Sequence, residues 1–214
     1  MRSHRLLNGM QKFIGHDLPN QMVVLQSLLQ LVNEEECNRL SKDGREYVRR
    51  LLNATQRASA IVRFLKEMAR LNAFSPVSET MALADLAREL QGELQQLHPT
   101  TVFEFDWQWS VPAILGDSSV YGRAMLELCT GFINPQSGQC QLSARSQHLG
   151  DAVELTILLA QMHDAGPVRG TTQTLDERME VILAREWLAL GGAGLEVTLP
   201  SRGETNFSII VPHR

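Results

Sequence analysis

His16, Asp17 and Asn20 stand within about one helical turn of one another. A neutral imidazole is a good nucleophile toward phosphorus at neutral pH, because its reference pKa is about 6.5. At ~100° per residue, His16 shares a helix face with Gly9, Lys12, Asn20, Val23 and Ser27. Leu7, Ile14, Leu18, Leu25 and Leu29 lie on the opposite side. A helical histidine ordinarily has no chemical role. Here an acid follows it directly and an amide stands one turn on, so the ring has neighbours that could serve it. Val23 is apolar on a face where solvent favours polar residues. It either packs against a neighbouring helix or, with Ser27, belongs to a contact surface for a partner protein.

These side chains need a helix to carry them. From Leu6 to Val32 the apolar residues Leu7, Met10, Ile14, Leu18, Leu25, Leu28, Leu29 and Val32 are mostly three, four or seven apart, which marks one face of a long helix. A polar stretch from Asn33 to Asp43 follows. Val48, Leu51, Leu52, Thr55, Ala58, Val62, Leu65 and Ala69 then draw a second stripe, closed by Asn72 to Pro76. Residues 1–74 therefore read as two long antiparallel helices. A lone hairpin covers two full apolar stripes poorly, whereas two hairpins paired as a four-helix bundle cover both. A homodimer is expected. Pro19 lacks the N–H that would bond the Gly15 carbonyl, so a kink is expected beside His16.

Beyond Pro76 the periodicity changes. Leu83–Leu97, Ser119–Phe132 and Leu175–Leu190 read as helices. Thr101–Trp107, Cys140–Arg145, Val153–Ala160, Leu195–Leu199 and Asn206–Val211 read as strands, mostly antiparallel. Residues 77–214 are thus expected to form an α/β sandwich with helices laid on one sheet face.

Bulk properties narrow the function classes. The chain has 214 residues, 43% of them hydrophobic, and a net charge of −4, which gives no electrostatic reason to expect nucleic acid as a partner. No apolar run approaches the ~20 residues needed to cross a bilayer. Met1 to Lys12 lack the apolar core of a signal peptide. Cys37, Cys129 and Cys140 have no metal-type spacing. A reduced, cytoplasmic protein without membrane contact in this segment, and without a metal or cofactor, is expected.

The stretch Phe13-Ile14-Gly15-His16-Asp17-Leu18-Pro19-Asn20 resembles the phosphoacceptor motif of two-component histidine kinases, commonly His, an acid, Leu, Arg, Thr or Asn, then Pro. The resemblance implies that His16 carries phosphate and that Asp17 orients the ring and holds the proton on its other nitrogen. It gives Asn20 the role of placing water for dephosphorylation. The chain departs from the motif at Pro19, in place of Arg, and at Gln21, in place of Pro.

The second half resembles the ATPase domain of the same family in order. Leu115-Gly116-Asp117 and Arg123 to Ile133 look like its Asn-rich helix, and Met162-His163-Asp164-Ala165-Gly166 like the start of its Asp-x-Gly-x-Gly motif. Ala184-Arg185-Glu186 to Leu190-Gly191-Gly192, then Leu195-Glu196-Val197 and Gly203 to Pro212, resemble its last helix, Gly-Gly turn and final strand pair. Asp164 would be the adenine-reading aspartate. The nucleotide chemistry is nevertheless eroded. Gly131 aligns with the magnesium-ligating Asn and offers no side-chain oxygen, and Val168 replaces the second glycine. Glu127 is either a solvated helix residue or a relic of the motif's first polar position. Only about nine residues separate Gly166 from the helix near Leu175, too few for the glycine-hinged lid whose N–H groups hold phosphates.

The resemblance therefore implies a histidine phosphotransferase with a degenerate ATPase-like domain, which binds no ATP. It would pass phosphoryl groups between His16 and the receiver-domain aspartates of response regulators. Two alternatives stand beside it: an ATP-dependent sensor histidine kinase core, and a non-catalytic dimeric adaptor that binds a regulator.

Overall fold

The computed structural model describes residues 15, 17–36, 39–134, 138–161, 178–199 and 204–212. The chain divides between Phe74 and Ser75 into two compact units.

The first unit is a helical hairpin of α1 (Leu18–Glu35) and α2 (Lys42–Ala73), which pack on one another. Pro19 lies in the first turn of α1, where its missing N–H has no intrahelical partner to lose. Gly15 and Asp17 adopt a wide, π-type turn just before it. A π-turn thus enters a helix whose first turn holds the proline, and the kink expected beside His16 falls on a residue outside those described. Glu36 closes α1 through its N–H to Val32 O at 3.2 Å, and Arg39 grips the Glu36 carboxylate at 3.0 and 3.1 Å in the turn. Ser41 then caps α2, its Oγ accepting from Gly44 N at 3.0 Å, with Asp43 in the first turn favoured by the helix dipole. Phe74 is extended and ends the helix ahead of Pro76.

The hairpin uses only part of its apolar surface. Val48, Thr55 and Val62, seven apart, are buried on α2, whereas α1 has no buried residue at all. Leu18, Met22 and Leu29 are half-covered. Val24, Leu25, Leu28, Leu31 and Val32 stay exposed on α1, as do Tyr47, Leu51, Ile61 and Leu65 on α2. The α2 residues alternate at intervals of three and four, with Ala54 and Ala58 completing a coiled-coil-like seam.

The second unit is an α+β fold of two layers. Its strands are β1 (Glu79–Ala82), β2 (Val102–Trp109), β3 (Ala113–Gly116), β4 (Gln139–Leu149), β5 (Ala152–Gln161), β6 (Gly194–Thr198) and β7 (Glu204–Pro212). Its helices are α3 (Leu83–Leu97), α4 (Ser118–Phe132) and α5 (Met179–Leu190). The main sheet runs β2-β4-β5-β7-β6, with β2 parallel to β4 and every other pair antiparallel. Alternate residues of β4 and β7 are buried, so helices cover one face and the other stays open. Leu142, Ile157, Leu159, Phe207 and Ile209 from the sheet, with Leu83, Leu94, Val120, Met125, Leu128 and Leu188 from the helices, form the inaccessible core. Gly150, at φ +56°, closes the tight β4–β5 turn in the left-handed region that favours glycine.

Two features differ from the sequence reading. A second sheet, β1 with β3 antiparallel, has four-residue strands too short to show alternation. And α5 starts at Met179, with Arg178 extended before it, later than the apolar pattern from Leu175 suggests; residues 175–177 lie outside those described. Among the described residues no helix is long and apolar enough to cross a membrane.

Candidate functional site

His16 itself lies outside the described residues. What the structure places is the helix that follows it. Asp17 stands at the entrance of α1, exposed, and Asn20, Val23 and Ser27 project from the same flank of the helix, also exposed. Val23 is 60% exposed, so the reading in which it packs against a neighbouring helix is not how this hairpin uses it. The flank is polar apart from Val23 and lies away from the half-covered side carrying Leu18, Met22 and Leu29. Asn20, Val23 and Ser27 are therefore brought to one accessible strip, with Asp17 exposed at the entrance of the helix.

In the second unit the Leu115-Gly116-Asp117 motif is a mechanical joint. Gly116 lies under the Tyr121 ring so closely that a Cβ would come 2.5 Å from Tyr121 Cε2. Asp117 is buried and caps α4, one carboxylate oxygen accepting from Ser119 N at 2.9 Å and Val120 N at 3.3 Å. The other oxygen accepts from Val77 N at 2.7 Å, which fixes the incoming chain to the start of the helix.

The far end of α4 holds Gly131, the position where a magnesium-ligating Asn was expected to be missing. The space a side chain would need is taken. A Cβ on Gly131 would lie 2.6 Å from Glu180 Cβ and closer still to Cγ. Arg178 donates to Gly131 O, sits 3.9 Å over the Phe132 ring, and lies 3.8 Å from the Glu180 carboxylate. Gln161 donates to Phe132 O at 2.6 Å and accepts from Asn134 N at 2.9 Å. The last carbonyls of α4 are thereby capped by side chains from elsewhere in the fold, a cation among them, as the negative end of a helix dipole favours. Glu127 is half-buried one turn before Gly131. Asp164, Gly166 and Val168 lie outside the described residues. Cys129 and Cys140 are buried, and burial pushes both thiols up, Cys140 to about 11, so neither offers a thiolate at neutral pH.

Sequence reasoning did not find Arg178, Glu180 or Gln161. Their partner lies 47 residues from Arg178, and no local spacing links them.

A helical hairpin joined to this two-layer α+β unit is the fold of a histidine kinase core. The chain is similar to the Acinetobacter baumannii histidine kinase AdeS, with 15% identity and a TM-score of 0.60, over 93% of this chain and 98% of that one. It is also similar to full-length ShkA, solved in complex with AMPPNP, with 14% identity and a TM-score of 0.56, over 95% of this chain and 45% of ShkA. No family model and no curated protein sequence matches the chain.

Proposed function

We propose that the chain is a histidine phosphotransferase of a two-component phosphorelay, in which His16 exchanges phosphoryl groups with receiver-domain aspartates without ATP. The observation that carries this reading is the pairing of a kinase-core fold over both units with a Gly131 that offers no metal ligand and has no room for one. Asp17 holds the imidazole in its reactive tautomer, Asn20 places water for hydrolysis of the phosphohistidine, and the exposed Val23 and Ser27 strip receives the receiver domain. The step is an in-line transfer: the His16 nitrogen attacks phosphorus, the P–O bond to the receiver aspartate breaks, and the carboxylate leaves.

The test is transfer from phosphorylated receiver domains of the same genome. Label on His16 that is acid-labile and base-stable supports the reading. Label appearing from radioactive ATP instead would establish a kinase core, and a bound receiver with no label at all would leave an adaptor.

The same reading includes a dimer. The exposed stripes on α1 and α2 fit a second copy of the hairpin, which covers both at once as a four-helix bundle. Leu25→Glu places a charge in that seam and is expected to yield monomers at micromolar concentration by light scattering. A Leu25→Glu protein that stays dimeric would put the interface elsewhere.

A further inference from the structure

The geometry at the end of α4 points to an inference that rests on the absence of nucleotide binding and names what stands in the nucleotide's place. We propose that Gly131 and Glu180 are a coupled pair that keeps this helix end occupied by the protein's own side chains, so that Glu180 excludes an incoming ligand from the space above Gly131.

Three observations converge. Glu180 lies in the first turn of α5, where the positive end of the dipole favours a carboxylate, and its Cβ and Cγ fill the volume above Gly131. Cγ can turn away about χ1, but Cβ moves only if α5 itself moves, so a change at Gly131 is resisted by the helix and not only by a swinging carboxylate. Arg178, immediately before α5, bonds the Gly131 carbonyl and covers Phe132. The start of α5 is thereby fastened to the end of α4 on both sides of the glycine.

Melting of four full-length proteins tests the pair: wild type, Gly131→Ala, Glu180→Gly and the double variant. Gly131→Ala is expected to lower Tm by about 5 °C, because the added methyl overpacks the joint. In the Glu180→Gly background, which removes Cβ as well as Cγ, the same methyl has room, so the double variant is expected to melt close to Glu180→Gly alone. If Gly131→Ala proves insoluble, recovery of a folded double variant is the same result in stronger form. Additive losses, or a Gly131→Ala protein that melts like wild type, would overturn the coupling. A Tm of the wild type raised by Mg·ATP would overturn the exclusion while leaving the packing of the pair intact, and so would distinguish failure of the ATP-free reading from failure of the pair.

Discussion

His16→Gln is expected to accept no phosphate from any receiver while keeping the oligomeric state and melting temperature of the wild type. Glutamine has a comparable polar side chain but no nucleophilic ring nitrogen, and the flank formed by Asn20, Val23 and Ser27 is exposed, so the loss is one of chemistry and not of packing. Asp17→Asn should behave differently. It keeps a hydrogen-bond acceptor but loses the charge that stabilises the proton on the far nitrogen, so transfer is expected to slow without stopping, by about 10- to 100-fold. Single-turnover transfer at several receiver concentrations separates the two variants: His16→Gln has no amplitude, and Asp17→Asn has full amplitude at a reduced rate. Full label on His16→Gln would move the phosphoacceptor to another of the six histidines.

Asp117→Ala is expected to destabilise the second unit substantially, although Asp117 lies outside its apolar core. The carboxylate caps α4 through Ser119 N and Val120 N and also holds Val77 N. Losing an N-cap costs about 1 kcal/mol, and leaving a part-buried N–H of Val77 without its acceptor costs roughly 1–2 kcal/mol more. A total of about 2–3 kcal/mol corresponds to a Tm lower by roughly 10 °C for a unit of this size. Asp117→Asn retains an acceptor oxygen for one side of the joint and should recover part of the loss. If Asp117→Ala melts within about two degrees of wild type, the bonds drawn to Asp117 do not set the stability of this unit. Phosphate acceptance at His16, assayed well below the melting range, should survive the substitution, because the hairpin is a separate compact unit.

The helices of this protein were legible where a covered face imposes its period. Leu83, Leu86, Leu90 and Leu94 recur at three and four and are all buried, and α3 spans the residues that pattern marks. Strand β2 was equally readable, since Phe103, Phe105, Trp107 and Trp109 alternate with polar residues; in the fold they stack along one face at 5.4 to 6.1 Å. Its pairing was not readable. β2 lies parallel to β4, and the chain between them passes through β3 and α4, so no turn signal announces the partner. The small β1–β3 sheet escaped for a different reason: four residues cannot establish a period. The candidate site divides the same way. Asn20, Val23 and Ser27 share a flank because helical geometry alone puts them there. The contact of Glu180 with Gly131 depends on how two distant helices are packed, and the glycine by itself announced only a missing oxygen.

The twin grip on the last turn of α4 has a consequence for how this chain can change in length. Gln161 ends β5 and Arg178 begins the approach to α5, and both bond neighbouring carbonyls, those of Phe132 and Gly131. The two ends of the intervening segment are therefore anchored a short distance apart by groups that do not belong to it. Closure of a connection between fixed ends grows only logarithmically, about 0.6 kcal/mol for each doubling. The closure cost of changing the number of residues between Gln161 and Arg178 is therefore small, so long as both anchors keep their bonds to the end of α4.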